Sequence, residues 1–173
     1  MTSRRTVVLL PVAAAALLAG CASAPQGSRV WRGRFALRAL RPEGVVEALS
    51  GRFELTSAPD LLRLDLLTPL SGVLARIEET SSGASMRRNL TDEPVADRDL
   101  DALTQRLLGF PVPARELLAL LEAGASAPAE SSPAGWRCRV LARNASGAPA
   151  RIRIERAAVP ALTLTVLVEE NPL

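Results

Sequence analysis

From residue 31 onward the chain keeps a two-residue beat. Trp31, Gly33, Phe35 and Leu37 alternate with Arg32, Arg34 and Arg38. Side chains along an extended backbone point to opposite faces in turn, so this spacing predicts a half-buried strand with an arginine outer face. The beat returns in Val45 to Thr56, where Gly51, Phe53 and Leu55 oppose Arg52 and Glu54. It returns again in Leu62, Leu64 and Leu66 against Arg63 and Asp65, and in Val73, Ala75 and Ile77. A short fifth strand is predicted around Met86 to Leu90. The links Arg41-Pro-Glu-Gly44, Pro59-Asp60, Thr68-Pro69-Leu70-Ser71-Gly72 and Ser82-Gly83 carry turn residues. Consecutive strands on short links predict an antiparallel meander.

The period then changes. Leu100, Leu103, Leu107 and Leu108 fall on one helical face, with Asp97, Asp99 and Asp101 at its start and Gly109 as a stop. A second helix is predicted from Pro113, through Leu117, Leu118, Leu120 and Leu121, to Gly124. Residues 123–134, rich in Ala, Ser and Pro, read as a flexible loop. Strands resume with Trp136, Cys138, Val140 and Ala142 facing inward, then Ile152 and Ile154, then Leu162, Leu164, Val166 and Val168. The fold class is mostly β with two helices (α+β), one curved antiparallel sheet in one domain. Its apolar face needs a cover that two short helices supply only in part. Such a sheet either fills itself or holds a ligand. A self-filled core is the default, and the 3% aromatic content leans towards a cavity.

The N-terminus belongs to a different kind of segment. Arg4 and Arg5 precede an apolar run from Val7 to Leu18, and Leu18-Ala19-Gly20 lead into Cys21. The run is shorter than the ~20 apolar residues that a helix needs to span a ~30 Å hydrocarbon core. A positive start, a short apolar stretch and small residues before a cut make a signal peptide. The cysteine at the cut makes it a lipoprotein signal, with the Cys21 thiol receiving the lipid. Residues 1–20 are thus expected to be removed, 21–29 to form a lipidated tether, and 30–173 to fold. Ala22 rather than Asp follows the anchor, as in lipoproteins of the outer membrane.

Composition excludes several functions. The 21 basic residues are all arginine, and without Arg4 and Arg5 they nearly balance the 18 acidic ones. They are spread along the chain rather than clustered, so a nucleic-acid interface is not expected. There is no His, Lys or Tyr, which removes Ser-His, Cys-His and Ser-Lys catalysis and makes a zinc site implausible. Paired carboxylates remain, but Glu78-Glu79 ends a strand, and the three Asp residues suit a helix start. An enzyme and a cofactor are not expected. With Cys21 as anchor, Cys138 has no partner and reads as a small buried hydrophobe. The glycan-like spacings at Asn89-Leu90-Thr91 and Asn144-Ala145-Ser146 read as chance.

The residues resemble the outer-membrane lipoprotein receptor LolB family along nearly all of the mature chain. The most specific part is Gly109-Phe110-Pro111-Val112-Pro113 followed by Leu117 and Gly124. Trp31 with Gly33-Arg34-Phe35, Ser50-Gly51-Arg52-Phe53, Leu62 to Leu70, and Trp136 resemble the family's strands. Leu55 and Leu120 depart from it where the family often has Trp.

The resemblance implies an unclosed antiparallel barrel with a helical lid over an apolar cavity. It implies a protein that accepts acylated lipoproteins from the periplasmic carrier LolA and releases them into the outer membrane, without nucleotide or metal. It also implies that Leu70, beside Pro69 in its turn, inserts into the bilayer to deliver cargo. The chain would be anchored by its lipid, face the periplasm and act as a monomer. The inward positions, candidates for contact with acyl chains, are Phe35, Leu37, Phe53, Leu55, Leu64, Leu66, Ile77, Leu103, Leu107, Leu117, Leu121, Trp136, Val140, Ile152, Ile154, Leu164 and Val166. Two rivals stand beside this reading. One is a structural or assembly lipoprotein of the envelope with a solid core and no cargo. The other is a hydrolase using carboxylates.

Overall fold

A computed structural model describes residues 27–44, 46–68, 72–89 and 91–169. Cys21, Pro69, Leu70 and Leu90 lie outside the described residues. The strands are β1 (Arg29–Leu40), β2 (Val46–Ala58), β3 (Leu61–Leu67), β4 (Val73–Thr80), β5 (Gly83–Arg87), β6 (Val95–Asp97), β7 (Glu130–Ser131), β8 (Arg137–Arg143), β9 (Pro149–Arg156) and β10 (Ala161–Val168). They form one ten-stranded sheet in the order β6-β5-β4-β3-β2-β1-β10-β9-β8-β7. Every ladder is antiparallel. The edge strands β6 and β7 are not paired with each other, so the sheet does not close into a barrel.

β1 sits near the middle of the sheet, between β2 and β10, and its two faces differ sharply. Gly33, Phe35 and Ala39 are buried, while Arg32, Arg34 and Arg38 are exposed. In the β1–β2 ladder Gly33 faces Phe53 and Phe35 faces Gly51, so each ring lies opposite a residue with no side chain. Glycines inside strands let neighbouring groups approach closely and let a sheet bend. The core continues across the sheet through Leu55, Leu64 and Ile77 on one side and Val166, Ile152 and Ile154 on the other. The opposite face is a lattice of charges. Arg32 reaches Glu54 at 2.7 Å, Arg63 reaches Glu78 at 2.7 Å, and Arg76 grips the buried carboxylate of Asp65 with two bonds of 2.6 and 2.8 Å.

The helices are α1 (Leu100–Leu108) and α2 (Ala114–Ala123). Asp99 caps α1 by accepting from the Ala102 amide at 2.7 Å, and Gly109 ends it in the left-handed conformation at φ 80°. Pro113 stands one residue before α2, as its cap rather than its first helical residue. α1 packs on β4, β5 and β6, and α2 touches β9. Leu103 of α1 and Leu117, Leu120 and Leu121 of α2 are buried in the core.

Some expectations are corrected. The fifth strand runs over Gly83–Arg87, earlier than Met86 to Leu90, and β6 follows it unforeseen because three residues are too few to show a period. Residues 123–134, expected to be a flexible loop, hold two single-turn helices (Gly124–Ser126 and Pro133–Gly135) and strand β7. The Arg143 guanidinium fixes this segment by donating to the Ala125 and Ala127 carbonyls. Ala142 is exposed rather than inward, because the β8–β9 register shifts between Val140 and Arg143 and ends the alternation there. Among the described residues no helix is long and apolar enough to cross a membrane.

Candidate functional site

The two halves of the inner face are built differently. Under β8 and β9 the residues interlock. Trp136, Ile152 and Ile154 are buried there with Leu121 of α2, and Val140 packs against the core half-buried. Leu55 of β2 and Leu103 of α1 are buried in the same core, with Leu107 half-buried against it. Cys138 belongs to this half, 1% exposed, and burial followed by the nearby Glu116 carboxylate pushes its thiol up to about 11. Arg156 covers Trp136 with its guanidinium 5.7 Å from the ring centre.

In the other half a pocket of about 380 Å³ remains between the sheet and the turn of α1 into α2. Its walls come from β1, β2, β3, β4, β5 and β10 and from the turn of α1 into α2. Of the inward positions read from sequence, Phe35, Leu37, Phe53, Leu64, Leu66, Ile77, Leu117, Leu164 and Val166 line it. Leu55, Leu103, Leu107, Leu121, Trp136, Val140, Ile152 and Ile154 do not, and lie in the interlocked core instead. Leu37, Leu49 and Leu164 sit on one cross-strand row.

Further lining residues were not among those candidates: Leu49, Leu74, Ala75, Met86, Leu108, Pro111, Val112, Pro113, Ala114 and the polar pair Arg88 and Asn89. Leu49 was findable by extending the Leu55, Phe53, Gly51 alternation one step back. Leu74 was not. Alternation assigns it to the outer face, but a bulge in β4 opposite Leu66 and Leu67 leaves it as the extra residue and turns it into the pocket. Leu49 and Leu74 are 40% and 44% exposed, and Arg88 and Asn89 are exposed as well, which marks the mouth.

The roof is held by a few polar contacts. Thr104, fully buried in α1, donates to the Leu100 carbonyl at 2.8 Å and accepts from the Val112 amide at 3.2 Å. This fastens the α1–α2 turn to α1. Glu79, at the end of β4, accepts from the Leu100 amide at 3.0 Å and from Arg115 Nε at 2.9 Å. One carboxylate therefore ties both helices to the sheet. That role accounts for Glu79 of the acidic pair at the strand end, and the bond from Arg63 for Glu78.

Comparison with known proteins gives a consistent picture. The family model described as outer membrane lipoprotein LolB matches residues 30–137. A protein of Cupriavidus pinatubonensis named outer-membrane lipoprotein LolB is 32% identical over 99% of this chain and 99% of its own length. A protein of the same name from Cupriavidus metallidurans is 30% identical over 88% of this chain and 75% of its own length. Another from Bordetella pertussis is 35% identical over 57% of this chain and 52% of its own.

Proposed function

The chain belongs to the outer membrane lipoprotein LolB family, and from that premise we propose that it takes an acyl chain of a lipoprotein into the pocket beneath α1 and α2 and passes it to the outer membrane. The chain is an outer-membrane lipoprotein of the lipoprotein-localisation system. In this reading a LolA-type carrier hands over the cargo, and Cys21 bears the lipid that anchors the chain on the periplasmic side. Residues 1–20 are the removed signal, 21–29 the tether, and 30–173 the binding domain, acting as a monomer.

The observation that carries the proposal is the pocket's chemistry: among the described residues that line it, Arg88 and Asn89 supply the only charged and amide side chains. Each CH2 removed from water is worth ~0.8 kcal/mol, so a lipid chain gains much from such walls, while water gains little. At about 380 Å³ the pocket lies at the small end of the ~300–1,000 Å³ range of ligand sites. That room suits one acyl chain, so a cargo with several requires α1 and α2 to lift as a lid. Pro69 and Leu70 would then deliver the cargo, with Leu70 entering the bilayer at a gain of ~1.5–3 kcal/mol.

The test is transfer in solution. A LolA-type carrier is loaded with labelled lipoprotein and mixed, without nucleotide, with mature chain carrying Cys21→Ala. Label should move to this protein, and Leu70→Glu should keep that uptake but lose release into vesicles. If label stays on a carrier that still serves another receptor of the family, the proposal fails.

A further inference from the structure

One end of the sheet joins two features that the pocket does not use. The turns β1–β2 and β9–β10 lie side by side there, because Leu40 pairs with Val46 on one side and Ala161 on the other. Beside the exposed Glu43 and the Arg41–Glu47 ion pair of the β1–β2 turn stand uncovered apolar side chains: Leu40 is 50% exposed, Val46 46%, and Val159, in the β9–β10 turn, 74%. Behind this apolar row the same outer face turns basic. Arg38 stands two residues from Leu40, and Arg34, Arg151 and Arg153 follow on the neighbouring rows. None of these four makes a salt bridge among the described residues.

Like charges even stand directly opposite each other, Arg34 against Arg52 and Arg153 against Arg139. The Nε atoms of Arg139 and Arg153 are buried without a hydrogen-bond partner. Directly opposed like charges weaken a sheet. Arg52 and Arg139 are each paired with a carboxylate, of Glu169 and Glu155, so the positive charge in excess on this face is that of Arg34, Arg38, Arg151 and Arg153.

We propose that this end of the sheet is a second membrane contact, separate from the β3–β4 turn, seated on anionic phospholipid. Leu40, Val46 and Val159 enter the acyl boundary and Arg38 meets the phosphate layer, with the remaining arginines drawn by the charge of the surface. Two residues of strand place Arg38 roughly 7 Å behind Leu40. That matches the ~5–10 Å depth to which interfacial apolar groups sink. An acidic protein surface would satisfy the arginines but not the exposed apolar tip, whereas an anionic bilayer satisfies both. The orientation also suits release. The mouth residue Leu49 pairs with Leu37, three residues from Leu40, so the mouth would lie on the bilayer side of the sheet.

The inference rests on the outer-membrane location but not on cargo binding. Its test is sedimentation of mature chain carrying Cys21→Ala with vesicles of phosphatidylcholine alone or with phosphatidylglycerol. The same series is measured in a Leu70→Glu background to remove the contribution of the β3–β4 turn. Leu40→Glu with Val159→Glu should weaken binding to the anionic vesicles at least tenfold in both backgrounds. Arg38→Gln should weaken it severalfold and flatten its salt dependence. Leu141→Glu, an exposed leucine at the far end of β8, should change nothing and serves as the folding control. Uptake of label from the carrier in solution should survive in all of them. Unchanged vesicle binding by the tip variants overturns the proposal. Loss of carrier binding instead of vesicle binding also overturns it, and assigns the face to a protein.

Discussion

Phe53 lies across the ladder from Gly33 so closely that a Cβ on Gly33 would fall 2.8 Å from the ring and 2.0 Å from the Leu167 carbonyl oxygen. The mirror pair, Gly51 under Phe35, leaves 2.8 Å to the Leu67 carbonyl and 3.3 Å to the ring. A ring tip can swing aside, but a backbone carbonyl held in a ladder cannot. Gly33→Ala should therefore cost stability at the upper end of the ~1–3 kcal/mol typical of overpacking, and Gly51→Ala less. Urea unfolding of the two variants measures this, and equal or negligible shifts would contradict the account of the sheet's bend.

Glu79 has two partners to lose and Arg115 only one. Glu79→Ala strands the Leu100 amide and frees the Arg115 guanidinium, and should cost about 2–3 kcal/mol, as for bonds to a charged group. Arg115→Ala should cost less, because Glu79 keeps its bond to α1. Hydrogen exchange should show α1 and α2 opening together in the first variant. Independent exchange of the two helices would mean that Glu79 does not join them.

Acid should weaken the start of α1. The Ala102 amide, and then Arg98, hold the Asp99 carboxyl below its ordinary value. A carboxyl lowered on folding adds stability above its unfolded pKa of ~3.9 and loses it as pH falls through the folded value. Asp99→Asn keeps an acceptor but no titration. The melting temperature of the wild type should exceed that of the variant at neutral pH and converge with it in acid. A gap unchanged from neutrality into acid would remove the cap's charge from the account.

Cys138 should be inert while the protein is folded. Its thiol is buried and pushed up to about 11, and the thiolate is the reactive form. A thiol reagent at pH 8 should label mature chain carrying Cys21→Ala only at the rate of unfolding. Fast labelling under native conditions would show that β8 opens locally.

The sequence made the sheet legible because its two-residue beat is unbroken through β1, β2 and β3, and both helices announced their ends at Asp99, Gly109 and Gly124. What it hid depends on distance and register. The alternation of Phe35 and Ile152 is the same, yet Phe35 lines the pocket and Ile152 does not, and α2 rests on β9, the strand of Ile152. Leu74 was hidden by a bulge that no local residue signals. Glu79 looked like half of an acidic pair, and its two helix partners lie 21 and 36 residues away. The roof over Leu66 and Leu164 depends on such long-range contacts, so periodicity could not separate lining from packing.

The most direct test of the central claim is where a transferred acyl chain comes to rest. A lipoprotein bearing a photoreactive acyl group is handed over by its carrier, irradiated, and the adducts are mapped by mass spectrometry. The account expects adducts on Leu49, Leu66, Leu117 and Leu164, and their loss when Ala75→Trp fills the pocket. Adducts confined to the β8–β9 half, or transfer undiminished by the filled pocket, would contradict it.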